Sequence, residues 1–122
     1  MATIITDKDG NVINSSDATV PSDRHFRDAW SLSGSVISED LATAKNIFKD
    51  KIRAVRAPLL DAEDIAYMKA LEADDASAKT AAVNKKTALR DAPAASAITN
   101  ATTITELKNA WDSDLLGSSP FA

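Results

Sequence analysis

Between residues 41 and 91 apolar side chains recur at spacings of three and four for longer than anywhere else in the chain. Leu41, Ala44, Phe48, Ile52, Val55, Leu59, Ala62 and Ala66 fall on one face of an α-helix at these spacings, which a strand would split between its two sides. Pro58 interrupts the run, since an interior proline removes a backbone hydrogen bond and crowds the preceding turn. The apolar register passes through it unbroken, so the pattern predicts one kinked helix. Leu60, Ile65, Tyr67, Met68 and Leu71 widen the face until Asp74-Asp75 stops it. Asp75 then fits as the N-cap of an alanine-rich second helix over 76–92 carrying Val83 and Leu89, with Pro93 as its end. Alanine permits close helix approach, and the short break makes the pair an antiparallel hairpin.

The flanks read differently. A β-branched run over 3–6, Asp7-Lys8-Asp9-Gly10-Asn11 and then Val12-Ile13 predict a short β-hairpin, with Gly10 supplying the positive φ that its turn requires. The polar segment 14–22 is a connector. Alternation from Trp30 to Leu32, a Ser33-Gly34 turn and Val36-Ile37 predict a second hairpin; Ser38 is then the expected cap of the long helix, with Glu39 and Asp40 near its positive end. An isolated two-stranded hairpin is marginal in water, so both must lie on something else. After the helical hairpin, 94–102 reads as a spacer. Thr103 and Glu106 form a capping-box pattern opening a short helix with Ile104, Leu107 and Trp111. Residues 112–122, with Gly117 and Pro120, read as a flexible or docking tail.

The predicted fold class is therefore α+β and helix-dominated: short N-terminal β-hairpins, an antiparallel helical hairpin and a short C-terminal helix. A 122-residue chain supports one core. The regions 1–37, 38–92, 93–111 and 112–122 are thus expected to form one folding unit. Aromatic residues make up only 5% of the chain, so the core must be built mainly from aliphatic residues and alanine.

A formal charge of -4 argues against long-range attraction to nucleic acid or an anionic membrane. With no cysteine, thiolate chemistry and disulfides are excluded. The start lacks the basic and apolar segments of a cleaved leader, and no stretch has the length of a membrane span. A soluble protein is expected.

Searches for catalytic groups find little to work with, and the expectation is no enzyme, no cofactor and no metal. His25 is the lone histidine; a metal site would have to combine it with Asp23 and Asp28 on a strand, and a surface or hairpin role is the simpler reading. Asp61, Glu63, Asp64, Glu72, Asp74 and Asp75 lack the glycine-containing loop of a calcium site and read as a solvated helix face. None of the three glycines opens a phosphate loop. Lys45, Lys49, Arg53 and Arg56 form one basic stripe, suited either to nucleic acid or to internal pairing, with Arg53 and Arg56 the stronger binders because a guanidinium grips carboxylates and backbone oxygens in fixed geometry. Trp30 and Trp111 are core candidates. Phe121, beside Pro120 in a polar tail, is a docking candidate for another chain.

The helical hairpin resembles the C-terminal region of the tail-fibre assembly chaperones of tailed bacteriophages. There an arginine-rich helix runs into a leucine pair and an aspartate, matched here by Arg53, Arg56, Leu59, Leu60 and Asp64. A second helix closes on a Leu-Arg-Asp-x-Pro signature, matched by Leu89, Arg90, Asp91 and Pro93. Lys85-Lys86 stands where that group has an aromatic-arginine pair. Residues 24–30, with Leu32 and Gly34, are also similar to small tail proteins of phages. The resemblance implies a non-enzymatic tail-module protein that binds tail or tail-fibre subunits, as an assembly factor or a small structural part, located in the virion tail or in the host cytoplasm during assembly. It leaves homo-oligomerisation open and implies no membrane partner. Ile4, Ile5, Arg53, Arg56 and Phe121 are the expected partner-binding residues. The alternative from the residues alone is a nucleic-acid-binding packaging accessory protein using the basic stripe, although the acidic balance makes nucleic acid the less favoured partner.

Overall fold

A computed structural model describes residues 4–21 and 25–121. The expected strand start at Thr3 and the residues Asp23 and Arg24 lie outside them. The fold is α+β and helix-dominated, with two small antiparallel sheets ahead of a long helical hairpin. Strands β1 (Ile4–Thr6) and β2 (Val12–Asn14) pair with Ile5 opposite Ile13; β3 (Trp30–Ser33) and β4 (Val36–Glu39) pair with Leu32 opposite Ile37. Gly10 and Gly34 occupy the two turns at φ 87° and 63°, a region that costs other residues strain. A 3-10 turn, Arg27–Ala29, precedes β3 and places His25 and Asp28 outside any strand.

Helix α1 (Leu41–Glu72) is one element with Pro58 inside it, so the continuity expected of the apolar register holds. Its cap is Asp40, two residues beyond the expected Ser38, which lies in β4. The Asp40 carboxylate accepts from the Thr43 N–H at 3.2 Å and from the Thr43 hydroxyl. Those two donors hold its carboxyl below the usual carboxylate range. Helix α2 (Ala76–Asp91) is capped by Asp75, whose side chain accepts from the Ala78 N–H at 3.0 Å. The reversal between the helices places Asp74 at φ 51°, a left-handed conformation that aspartate tolerates better than most residues.

The C-terminal region is more ordered than its composition suggests. A 3-10 turn over Ala92–Ala94 leads to α3 (Ser96–Thr99) within the predicted spacer, and Ile98, its one large apolar residue, is fully buried. Helix α4 (Ile104–Asn109) is capped by Thr103, which accepts from the Glu106 N–H at 3.1 Å. Glu106 reaches back one residue further than a capping box requires, accepting from the Thr102 N–H at 2.7 Å and the Thr102 hydroxyl at 2.9 Å; both donors lower its pKa. A last turn, α5 (Ser113–Leu116), starts at Asp112.

These pieces close one core around the proximal half of α1. Ala44, Phe48 and Ile52 of α1 meet Phe26 and Ala29 from the segment before β3, Leu89 of α2, Ile98, Leu107, Trp111 and Leu116. Among the described residues the distal half of α1 packs against α2. Its inner face turns away from the expected Ala62 and Ala66, both exposed, toward Glu63, Tyr67 and Ala70. Lysines of α2 reach across to this side: Lys85 pairs with Glu63 at 3.4 Å, and Lys86 with Asp64 while lying 5.9 Å from the Tyr67 ring centroid. The predicted solvated acidic face is thus in part an interhelical ion-pair seam.

Candidate protein-binding surfaces

The first surface is the N-terminal hairpin, and its position depends on Asp7. One Asp7 oxygen accepts from the Asp9 and Asn11 N–H groups at 2.9 and 2.8 Å, closing the β1–β2 loop as an Asx-type turn. The other accepts from the Asn11 amide at 3.1 Å and from the Leu32 N–H at 2.8 Å. The adjacent Lys8 N–H donates to the Trp30 carbonyl at 2.9 Å. Asp7 and Lys8 therefore act as a short extra rung along the open side of β3, with a carboxylate standing where a neighbouring strand would offer a carbonyl. The Leu32 N–H above all, with Asn11 and Asp9, draws the Asp7 carboxyl down to about 2 against the opposing effect of burial.

Hung in this way, the hairpin leaves Ile4 and Val12 60% and 61% exposed, while Ile5 and Ile13 on the opposite face are half-buried. Ile4, Val12, Ile13, Asn14 and Asp17 line a shallow concavity of about 350 Å³. Strand β1 pairs only with β2, so its outer edge carries no strand neighbour among the described residues. The outer side of β4 is partly closed: the Thr19 N–H donates to the Ser35 carbonyl at 2.8 Å, and the Ile37 N–H to Thr19 at 2.7 Å.

Three of the four stripe residues, Lys45, Arg53 and Arg56, are engaged within the chain. Arg56 donates to the Arg90 and Leu89 carbonyls at 2.9 and 3.4 Å, among the last carbonyls of α2, where helical partners run out and the dipole favours a cation. Lys45 does the same for α3, donating to the Thr99 carbonyl at 2.9 Å. Arg53 is exposed and pairs with Asp50 one turn back, at 2.8 Å. Arg56 thus joins the arginine helix to the Leu89-Arg90-Asp91 segment, bringing together two sequence motifs 33 residues apart.

Phe121 corrects the expectation of a free docking aromatic. Only 6% exposed, it stacks on Phe26 with ring centroids 4.9 Å apart and on Phe48 at 5.2 Å, and meets Trp111 edge-on at 6.0 Å. The Trp111 indole N–H donates to the Gly117 carbonyl at 2.8 Å, tying the returning tail beside the cluster. The reason is that Phe26, which caps the 3-10 turn before β3, and Phe48 of α1 both present rings on which Phe121 stacks. His25 lies edge-on to Phe121 at 6.0 Å.

Among the described residues no three histidine or carboxylate side chains stand together as a metal site, and no helix is long and apolar enough to cross a membrane. Compared with known family models, curated proteins and solved structures, the chain matches none.

Proposed function

We propose that this chain is a non-enzymatic, protein-binding component of the tail module of a tailed bacteriophage, acting as a tail-fibre assembly factor or a small structural part, and that its N-terminal hairpin is the contact surface. The observation that carries the contact surface is the pairing of exposed Ile4 and Val12 with an open β1 edge, on a hairpin held in place by Asp7. An open edge offers backbone groups to an added strand, and the two side chains beside it offer apolar area. The phage-tail setting is supported by the sequence resemblance of the helical hairpin. A reading as a nucleic-acid partner draws less support, because Lys45, Arg53 and Arg56 already have partners within the chain.

Mass spectrometry of purified phage particles and of affinity-captured complexes from infected cells tests the proposal. Stoichiometric presence in particles identifies a structural part; absence from particles with co-purification of a fibre or tail subunit identifies an assembly factor. Absence from both overturns the proposal.

A further inference from the structure

The distal half of α1 carries a second, different surface. Ile65 and Met68 are 58% and 57% exposed on the side of the helix turned away from α2, and Ala62 beside them is exposed as well. Asp61, Ile65 and Lys69 lie four residues apart and form one ridge along the helix. Neither the Asp61 nor the Lys69 side chain has a hydrogen bond or ion pair among the described residues, in contrast to those of Asp50, Glu63, Asp64 and Asp74, all of which do. The ridge therefore reads acid, apolar, base in one direction and base, apolar, acid in the other.

That charge antisymmetry makes the patch complementary to itself, because the two-fold axis of an isologous interface lays the same patch against itself in reverse and so sets acid on base. We infer that a second copy of this chain covers this surface, its α1 crossing antiparallel with Ile65 packed on Ile65 of the second copy at the axis. Reversal about Ile65 sets Asp61 opposite the second copy's Lys69, twice. It also sets the long Met68 side chain opposite the small Ala62, twice, a large-into-small match that helix packing favours. Centring the axis on Met68 instead would oppose Asp64 and Glu72, two like charges. Crossed helix faces of this size fall at the small end of specific interfaces, so the dimer is a micromolar, reversible one. The surface lies away from the N-terminal hairpin and does not depend on the function proposed above.

Sedimentation equilibrium of the full chain from micromolar to millimolar protein, at low and physiological salt, tests the inference. The wild type is expected to show monomer and dimer in exchange. Asp61→Lys or Lys69→Asp alone opposes like charges across the axis and weakens dimerisation several-fold. The double exchange Asp61→Lys/Lys69→Asp restores it, and Ile65→Lys abolishes it. All these positions are exposed, and an unchanged circular dichroism spectrum and melting temperature verify the fold. Because the chain has no cysteine, Ile65→Cys introduces a single thiol that a short bis-maleimide should join into a covalent dimer, whereas Val83→Cys on α2 should not be joined. A monomer up to millimolar concentration, a dissociation constant indifferent to Ile65→Lys, or a double exchange as weak as its single parents would overturn the inference.

Discussion

The Asp7 carboxylate accepts the Leu32 backbone N–H at 2.8 Å across 25 residues of chain, and through it the first β-hairpin is attached to the second. A side-chain carboxylate used as a ladder partner makes this junction sensitive to protonation, which a backbone carbonyl would not be.

The pH dependence has a definite sign. The Asp7 pKa is about 2 in the folded chain against 3.8 for a free aspartate, so as pH falls the unfolded chain takes up its proton first. The stabilisation from Asp7 is complete above pH 4 and is lost as pH drops toward 2, with Asp40 and Glu106, also lowered, acting in the same direction. Thermal unfolding followed at pH 5, 3 and 2 should show this decline. Asp7→Asn should melt below wild type at pH 7, and the two should converge near pH 2. Coincident curves over the whole range would show that the contact contributes nothing, and parallel offset curves that its contribution does not depend on protonation of Asp7.

Phe121 predicts a large effect from the end of the chain. Phe121→Ala removes a ring packed among Phe26, Phe48 and Trp111, and should cost about 3 kcal/mol in denaturant unfolding. A flexible tail would instead tolerate the change within about 0.5 kcal/mol.

Arg56 and Arg53 should separate cleanly although they are one turn apart. Arg56→Ala leaves the Leu89 and Arg90 carbonyls without their donor and is expected to cost about 1 kcal/mol, with Arg56→Lys recovering only part. Arg53→Ala removes one exposed pair with Asp50 and should cost under about 0.5 kcal/mol. Urea titrations of the three variants make the comparison.

Pro58 is exposed within a continuous helix. Pro58→Ala restores a missing helical hydrogen bond and should raise stability by about 1 to 3 kcal/mol, measured by the same titration.

Much of this architecture was legible in the residues. Long helical periodicity fixed α1 through Pro58, Asp75 marked the start of α2, Thr103 and Glu106 marked α4, and Gly10 and Gly34 marked both hairpin turns. Three features depended on distant partners and left no local trace. Phe121 has no local signal of attachment because its aromatic neighbours, His25, Phe26, Phe48 and Trp111, come from elsewhere in the chain. Asp7 looked like an ordinary turn residue because its decisive donor, Leu32, belongs to another hairpin, although the Asp-x-Asp-Gly-Asn run signalled the turn itself. The spacing carries the apolar face of distal α1 through Ala62 and Ala66, whereas packing against α2 selects Glu63, Tyr67 and Ala70, with Lys85 pairing the half-buried Glu63. Of the expected binding residues, Ile4 lies exposed at the hairpin and Ile5 sits half-buried beneath it. Arg56 serves the helix ends, and this internal role was foreseeable only as a preference for backbone oxygens.

The contact surface is tested most directly by capture from infected cells with the paired substitution Ile4→Asp/Val12→Asp. Both side chains are exposed, so the fold and melting temperature should be unchanged. The account predicts that wild type retains a tail or fibre subunit, identified by mass spectrometry, and that the paired variant loses it; retention of the same subunit by the variant at wild-type yield would contradict it.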